Sequence, residues 1–189
     1  ESEDGIHWTL PNYGVYQHPT FAAGNVVLAD QFLVTHNFTP FVDQRPGVPK
    51  EERYKGLGGG HYQKQFAKFR DRYGPGGLKA YVSPDGIHWK LVQEKAVIPE
   101  EWGTFDSQNV AFWSEAEQMY LCYFRVILPG TGRTIARTTS RDFRTWSDPV
   151  VMKANAPGEE LYTNGTHPYF RAPHIYVALP TRYVGKRGS

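Results

Sequence analysis

Three polar clusters in this sequence each bring at least one carboxylate to the start of an apolar, strand-like segment. Every cluster also contains an asparagine, whose amide can bind a hydroxylated ligand. Hydrolysis of a glycosidic bond needs two carboxyl groups, one of which must be protonated at the working pH. The clusters could supply such a pair if their strands lie side by side. They span residues 36–45, 105–109 and 159–167.

Four carboxylates in these clusters are the candidate catalytic residues. Asp106 shortly precedes the strand-like segment that starts near Val110 and is the strongest candidate. Asp43, Glu159 and Glu160 are candidate partners, because they lie close to neighbouring strand-like segments. Each of the four could instead cap a turn or lie in a solvated loop, as acidic residues commonly do. We also expect eight polar residues to bind substrate: His36, Asn37, Arg45, Gln108, Asn109, Arg125, Asn164 and His167.

Other kinds of chemistry have little support in the sequence. The seven histidines are scattered, and no His-x-x-x-His or cysteine-rich spacing predicts a metal site. Gly58-Gly59-Gly60 lacks the following residues of a phosphate-binding loop, and no Gly-x-Ser-x-Gly elbow occurs. The single cysteine, Cys122, lies in an apolar segment, which favours a buried side chain over a reactive thiol. We therefore expect neither a metal nor a cofactor.

The composition favours one β-rich domain over residues 1–189. Aromatic residues make up 15% of the chain, and they suit the half-buried surfaces of sheets. The 19 glycines and 14 prolines supply turns and disfavour long helices. A net charge of +2 gives no reason to expect a nucleic-acid partner. No apolar run approaches the roughly 20 residues of a membrane span, so we expect no membrane partner.

A seven-residue repeat organises the chain. Ser2-Glu-Asp-Gly-Ile-His-Trp8 recurs as Ser83-Pro-Asp-Gly-Ile-His-Trp89 and, more loosely, as Ser140-Arg-Asp-Phe-Arg-Thr-Trp146. Asp-Gly is a strong turn signal, and Ser or Asp side chains bind nearby backbone amides. We predict that each copy forms the turn between the third and fourth strands of a sheet. Its tryptophan should then pack between neighbouring sheets.

Strand-like segments between the copies predict four-stranded antiparallel sheets. A complete unit lies between the second and third copies, and the unit before it has the same order with an insertion. Residues 63–72 of that insertion could form either a short helix or an extended loop. The predicted strands are residues 34–42, 54–57 and 78–82, then 109–113, 119–125, 133–139 and 149–152, and finally 167–171 and 174–179.

One repeated turn for each four-stranded sheet is typical of a β-propeller. The chain would then hold about three blades: an outer half-blade, two full blades and an inner half-blade. Because propellers have about four to eight blades, either the chain is a fragment or a second chain completes the ring. We favour a homodimer in which the two chains complete each other's half-blades. An incomplete ring would otherwise expose sheet edges.

Three segments carry a resemblance to a known family. They are the turn Ser83–Trp89, Phe105-Asp-Ser-Gln-Asn-Val-Ala-Phe-Trp113 and Thr166-His-Pro-Tyr-Phe-Arg-Ala-Pro-His-Ile-Tyr176. The chain resembles the five-bladed propeller glycoside hydrolases of the invertase and arabinanase/xylosidase clan, and most closely their uncharacterised bacterial relatives. The resemblance covers nearly the whole chain and implies a propeller fold and a carbohydrate substrate.

The resemblance also implies roles for particular residues. In the clan, an Arg-Asp-Pro segment opens one first strand, and its Asp helps to stabilise the transition state. Asp106 has a similar setting, with Phe105 and Ser107 in place of the Arg and the Pro. The acid of the clan is a Glu that opens a later blade, whereas Glu159 and Glu160 lie several residues before the matching strand.

Two departures from the clan pattern concern its other carboxylates. Arg171 stands where a Glu-Gly-Pro-His acid motif would have its Glu. The Asn-Asp-Pro nucleophile segment is absent, unless residues 37–43 are a distant version of it. The resemblance therefore supports the fold more strongly than the catalytic residues.

Three functions are compatible with these observations. We favour a glycoside hydrolase that acts on oligo- or polysaccharide through paired carboxylates at the propeller channel. The alternatives are a non-catalytic carbohydrate-binding propeller and a protein-interaction scaffold, because a propeller fold alone does not determine function. The lone cysteine does not decide the compartment, and a periplasmic or secreted location in a bacterium is our expectation.

Overall fold

A computed structural model of the chain describes residues 1–17, 20, 24–29, 33–62 and 70–185. Antiparallel β-sheet makes up most of the regular structure of these residues, which confirms the all-β class. A short helix, α1 (Arg70–Tyr73), and two 3₁₀ turns, Lys50–Glu52 and Glu100–Trp102, are the described helical elements. None of the described helices is long and apolar enough to cross a membrane.

Sheet 1 contains the first strands of the chain. Its order is β1 (Thr39–Val42), β2 (Tyr54–Gly60), β3 (Gly77–Ser83) and β4 (Lys90–Leu91), and β5 (Ile98–Pro99) also pairs with β3. The predicted first strand was too long, because residues 33–36 form turns and the strand begins only at Thr39. Most of the ambiguous segment 63–72 lies outside the described residues.

Sheet 2 matches the predicted complete unit. Its strands are β6 (Val110–Ser114), β7 (Met119–Leu128), β8 (Gly132–Ser140) and β9 (Val150–Val151), paired in chain order. All four lie within a few residues of their predicted positions. The long β7–β8 hairpin extends beyond the start of β6, because β6 begins opposite Tyr123 while β7 continues to Leu128.

Two short strand pairs follow sheet 2. The first is β10 (Glu160–Leu161) with β13 (Arg182–Tyr183), and the second is β11 (His167–Tyr169) with β12 (Ala172–Val177). The β11–β12 hairpin confirms the two strands predicted at the end of the chain, whereas β10 and β13 were not predicted. Among the described residues no sheet closes on itself.

The core consists of two apolar clusters on opposite faces of sheet 2. The larger cluster lies between sheets 1 and 2 and includes Leu57, Leu78, Tyr120 and Phe124. The smaller one packs the other face of sheet 2 against Leu161 of β10 and the β11–β12 hairpin. As a result β6 contacts both β1 and β11, so the first strands of the three units are neighbours. Cys122 is fully buried in the larger cluster, and burial raises the pKa of its thiol, which confirms its apolar role.

All three copies of the repeat form the same hydrogen-bonded turn. The Ser Oγ accepts a bond of 2.8–2.9 Å from the amide three residues later. The Asp Oδ1 accepts two bonds of 2.7–2.8 Å from the amides that follow. Bonds from the His88 amide and imidazole hold the pKa of Asp85 well below its usual range. The predicted turn is thereby confirmed in all three copies; the second copy joins β3 to β4 and the third joins β8 to β9, whereas no described strand flanks the first.

The turn places one residue of each copy in the left-handed region. Gly5 and Gly86 occupy this position in two copies, with φ of 74° and 78°, and Phe143 occupies it in the third with φ of 64°. A bulky residue is unfavourable there, but the Phe143 ring is buried against Tyr120 and Trp146. Burial of an aromatic ring contributes about 2 kcal/mol or more, which offsets the backbone strain.

The tryptophans of the three turns differ in their packing. Trp146 is buried in the core between sheets 1 and 2, as predicted. Trp89 is half-buried, with its ring 4.8 Å from that of Phe38. Trp8 is 72% exposed, so the prediction that it packs between sheets was wrong for the described residues.

A glycine face on β2 lets the preceding segment lie against the sheet. A Cβ built on Gly56 would meet the Phe38 ring at 2.4 Å, and one on Gly58 would meet the Val34 carbonyl oxygen at 2.8 Å. Glycines weaken strands in general, which is why Gly58-Gly59-Gly60 was not predicted as strand. Here the absence of side chains allows residues 33–38 to cover this face of sheet 1.

Replacing Gly58 by alanine should therefore destabilise the protein. We expect Gly58→Ala to lower the free energy of unfolding by about 2 kcal/mol, because the new methyl group overlaps backbone that cannot easily move. Gly60→Ala is the matched control, since its Cβ would meet only Leu33 side-chain atoms at 3.7–3.8 Å. We expect the control to stay within about 0.5 kcal/mol of wild type. Urea unfolding measures both, and equal losses would contradict this account.

Candidate functional site

The loops that precede β1, β6 and β11 meet at one place, where several predicted site residues contact each other or the same backbone groups. These loops hold six of the twelve residues predicted from the sequence, and β7 contributes Arg125 from the adjoining strand. We call this group the strand-start cluster. It comprises Asn37, Asp106, Gln108, Asn109, Arg125, Tyr162 and Asn164.

The carbonyl oxygen of Phe105 joins two of these loops. The side-chain amides of Asn37 and Asn109 both donate to it, the second at 3.1 Å. The Oδ1 of Asn37 in turn accepts from the amide of Gly59 at 3.0 Å. Phe105 itself has φ of 50°, a left-handed conformation that is rare for an aromatic residue. Backbone strain of this kind is held only where the surroundings enforce it, and it is found preferentially at functional sites.

The loop before β11 is fixed to the loop before β6 by reciprocal amide contacts. The Gln108 Oε1 accepts from the backbone amides of Asn164 at 3.3 Å and Gly165 at 2.7 Å. The Asn164 Nδ2 donates back to the Gln108 carbonyl at 3.3 Å and to the Tyr123 carbonyl at 3.2 Å. Asn164 is buried, so these bonds position the loop rather than a ligand.

Asp106 pairs with Arg125 at the surface of the cluster. The Arg125 Nη2 donates to the Asp106 Oδ1, and its Nε donates to the Thr104 hydroxyl at 3.2 Å. The guanidinium also lies 4.4 Å from the centre of the Tyr162 ring. The Arg125 side chain is only 4% exposed, whereas that of Asp106 is 44% exposed. In this pair the cation is buried and held by its neighbours, whereas the carboxylate that it binds faces solvent.

Two buried polar atoms of the cluster lack a hydrogen-bond partner among the described residues. They are the Nη1 of Arg125 and the Oδ1 of Asn109. A buried polar atom without a partner costs about 1–3 kcal/mol. Arg125 thus has an unpaired N–H donor beside Asp106 that is available to a polar ligand.

A column of two stacked tyrosine rings between two arginines continues from Arg125. The Tyr162 and Tyr183 rings stack with centroids 6.0 Å apart, and the Arg133 guanidinium lies 3.7 Å from the Tyr183 ring. Glu160 closes the column, because its Oε2 accepts from the Arg133 amide at 2.9 Å and from its Nη1 at 2.8 Å. These two bonds lower the pKa of Glu160, which opposes a role as proton donor.

Asp43 lies in a separate, buried network. Its Oδ2 accepts from the Tyr120 hydroxyl at 2.6 Å and lies 3.2 Å from the Lys55 Nζ, and its Oδ1 accepts from the Arg45 amide. Burial, and then the bond to Asp43, raises the pKa of Tyr120. Lys55 also binds Glu52, and the bond between Tyr120 of β7 and Asp43 joins the network to sheet 2. Removing one partner of such a buried ion pair costs about 3–5 kcal/mol, which points to a structural role for Asp43.

The remaining predicted residues lie outside the cluster contacts. Glu159 pairs with Arg182 at 3.3 Å, and the Arg45 guanidinium lies 5.7 Å from the Tyr120 ring. His167 is exposed, with its ring 6.5 Å from that of Phe112, and His36 is exposed in the turn before β1.

Sequence reasoning missed Thr104, Tyr183 and Arg133 as neighbours of the predicted residues. Tyr183 reaches Tyr162 only because β13 pairs with β10, and no motif signals that pairing. Thr104 could have been suspected, because it lies two residues before Asp106 in the loop to β6. Among the described residues no group of three His, Cys, Asp or Glu side chains is placed to hold a metal ion.

No family model matches the chain, and no curated protein sequence matches it. The case for a function therefore rests on the geometry of the strand-start cluster together with the motifs of the sequence.

Changing Asn37 should release the junction at Phe105. In Asn37→Asp the side chain keeps an acceptor for the Gly59 amide but loses the donor to the Phe105 carbonyl. We expect the free energy of unfolding to fall by about 2 kcal/mol, because two acceptors then face each other. Asn12→Asp is the control, since its oxygen can still accept from the Gly14 amide. Urea unfolding measures both, and an unchanged Asn37→Asp would refute the junction.

Proposed function

We propose that this chain is a glycoside hydrolase that acts on oligo- or polysaccharide, with the strand-start cluster as its catalytic centre. The Asp106–Arg125 pair is the observation that carries the proposal. Asp106 is the accessible carboxylate of the cluster, and it lies where the loops before three first strands meet. Cleavage of a glycosidic bond passes through an oxocarbenium-like transition state. A fixed carboxylate can stabilise the positive charge that develops on the sugar.

Arg125 positions Asp106 in this proposal. Its guanidinium is bound by the Thr104 hydroxyl and stacked on the Tyr162 ring, so it holds the carboxylate in one place. Preorganisation of this kind matters, because a charge that must reorient during the reaction stabilises the transition state less. Arginine suits the task, since its planar guanidinium can bind a carboxylate and stack on a ring at once.

Glu159 is the proton donor that we propose. Among the candidate partners of Asp106, Asp43 is buried with Lys55, and Glu160 is held in its charged form by Arg133. The Glu159 carboxylate lies 3.3 Å from the guanidinium of Arg182, whose side chain is 62% exposed. Surface pairs of this kind are weak, so Glu159 is the candidate partner whose carboxylate is held least firmly by its salt bridge.

A propeller is the arrangement that we propose for the sheets. Two antiparallel sheets support it, because each has four strands paired in chain order and the same turn between its third and fourth strands, with β5 as an additional strand beside β3. So does the contact of β6 with both β1 and β11, since first strands are neighbours around a propeller channel. We further propose that a second copy completes the ring. Apolar residues exposed at both ends of the described chain support that step: Ile6, Trp8 and Leu10, and Phe170, Ile175 and Leu179.

The alternative is a carbohydrate-binding propeller without turnover. The observation in its favour is that each of the four candidate carboxylates already forms a salt bridge with a side chain of the protein: Asp43 with Lys55, Asp106 with Arg125, Glu159 with Arg182 and Glu160 with Arg133. Such a protein would bind oligosaccharides saturably by calorimetry and release no product on prolonged incubation.

The proposal predicts the effect of removing one charge. We expect Asp106→Asn to lower glycosidase turnover by about 100-fold or more, because the transition state loses a preorganised carboxylate. Asp148→Asn, a change at an exposed aspartate outside the cluster, should leave turnover unchanged. Reducing-sugar release from arabino-, xylo- and fructo-oligosaccharides is the measurement, with thermal melts to confirm folding. Equal turnover in Asp106→Asn and wild type, or no product from any of these substrates, would overturn the proposal.

Ring completion predicts the mass in solution. We expect light scattering after size-exclusion chromatography to give about twice 21.5 kDa. Trp8→Ser should shift the mass towards the monomer, because the exposed ring would lie in the contact between copies. A folded, monodisperse wild-type monomer would contradict the second copy.

A further inference from the structure

A concave surface lies between sheets 1 and 2, and none of the strand-start cluster residues lines it. It has a volume of about 490 Å³ and is bounded by the Glu100–Trp102 turn, by residues 95–97 before β5 and by residues 144–146 of the third repeat. We call it the inter-sheet groove. A second concavity of about 460 Å³ shares Glu100, Glu101 and Trp102 with the groove. Both volumes fall within the range of about 300–1,000 Å³ that is usual for small-ligand sites.

A buried donor with no partner lies in the wall of the groove. In the other two copies of the repeat, the tryptophan indole donates to the backbone carbonyl three residues earlier, at 3.1 Å for Trp8 and 2.9 Å for Trp89. In the third copy Phe143 replaces the glycine, and the Trp146 Nε1 has no partner among the described residues. Trp146 is 7% exposed and lines the groove. A buried unpaired donor in an otherwise satisfied motif requires an explanation.

An acceptor without a partner lines the same groove. The Oε1 of Glu100 pairs with Arg70, but its Oε2 is buried and makes no hydrogen bond to the described residues. The His61 Nδ1 lies 3.8 Å away, beyond hydrogen-bond distance. The charge of Glu100 is therefore compensated by Arg70, while one of its oxygens is left to accept a hydrogen bond.

The lining of the groove selects a class of ligand. Trp102 and Trp146 supply aromatic surface, and Val97 and Pro99 supply apolar surface. A strongly anionic ligand would face Glu100 and Glu101, and a strongly cationic one would face Lys95 and Arg144. A neutral molecule with hydroxyl groups and an apolar face matches an indole donor, a carboxylate acceptor and aromatic walls. Sugars have these properties.

We propose that the inter-sheet groove is a second carbohydrate-binding site, separate from Asp106, that takes a neutral oligosaccharide. In it the Trp146 Nε1 donates to a sugar oxygen, the Glu100 Oε2 accepts from a sugar hydroxyl, and Trp102 contacts an apolar sugar face. The site requires no hydrolysis, so it stands or falls independently of the catalytic proposal.

Isothermal titration calorimetry of the full chain tests the site. The titrants are xylopentaose, arabinopentaose, cellopentaose and maltopentaose, up to about 10 mM, which reaches affinities near 1 mM. Asp106→Asn serves as the background, so that no titrant is consumed. We expect at least one titrant to bind saturably. Trp102→Ala and Glu100→Gln should each weaken that binding at least about fivefold, the loss expected for one hydrogen bond or contact.

Two controls keep the test decisive. Glu115→Gln, which makes the same change as Glu100→Gln at an exposed glutamate outside the groove, should leave the affinity unchanged. If Trp102→Ala does not fold, Trp102→Phe and Glu100→Gln replace it in the test. The Trp102→Phe variant should then retain most of the affinity, because it keeps an aromatic ring. In ¹⁵N spectra the indole resonance of Trp146, assigned by its loss in Trp146→Phe, should move on saturation.

The outcomes separate this site from the catalytic one. Absence of saturable binding by every titrant, or binding that Trp102→Ala and Glu100→Gln leave unchanged, would overturn the groove site. Binding that these variants weaken, in a protein whose wild type releases no product from any substrate, would support the groove and refute the hydrolase. Product release without groove binding would support the hydrolase and refute the groove.

Discussion

The carbonyl oxygen of Phe105 is the point on which the arrangement of the site depends. By accepting from Asn37 and Asn109, one atom ties the segment before β1 to the loop before β6. The left-handed backbone of Phe105 is unfavourable for a bulky residue. Its ring is buried with a centroid 5.0 Å from that of Phe124, and this packing together with the two bonds offsets the strain. Because Asp106 follows directly, the same constraint fixes where its carboxylate reaches the surface.

That junction exists only because sheet 1 has a glycine face. Residues 33–38 can approach β2 closely enough for Asn37 to reach Phe105, since Gly56 and Gly58 present no side chains to Phe38 and Val34. The Gly59 amide completes the link by binding the Asn37 Oδ1. Glycines that would weaken an isolated strand thus allow a close approach between two segments. The approach positions the site.

Much of the fold could be predicted from the sequence, and the failures have physical causes. The strands of sheet 2 were predicted because apolar runs alternate with a repeated turn whose side chains bind its own backbone. Residues 34–38 were wrongly included in a strand, because their apolar side chains cover a glycine face that sequence patterns do not reveal. Asp43 and Asp106 both lie near first strands, yet Asp43 forms a buried ion pair with Lys55 of β2 and is therefore structural. Tyr183 and Arg133 were missed, because the β10–β13 pairing that brings them to Tyr162 is non-local.

The cations that the chain places beside its carboxylates decide what each carboxylate can do. Asp106 faces a guanidinium that is 4% exposed, and Glu160 is bound twice by Arg133, so both have fixed positions. Glu159 faces an arginine that is largely solvated, where salt and water screen the attraction. Acid-base catalysis by two carboxyl groups needs them to differ in how readily they hold a proton. The roles proposed for Asp106 and Glu159 therefore rest on the burial of their arginines, since the Arg125 side chain is 4% exposed whereas that of Arg182 is 62% exposed.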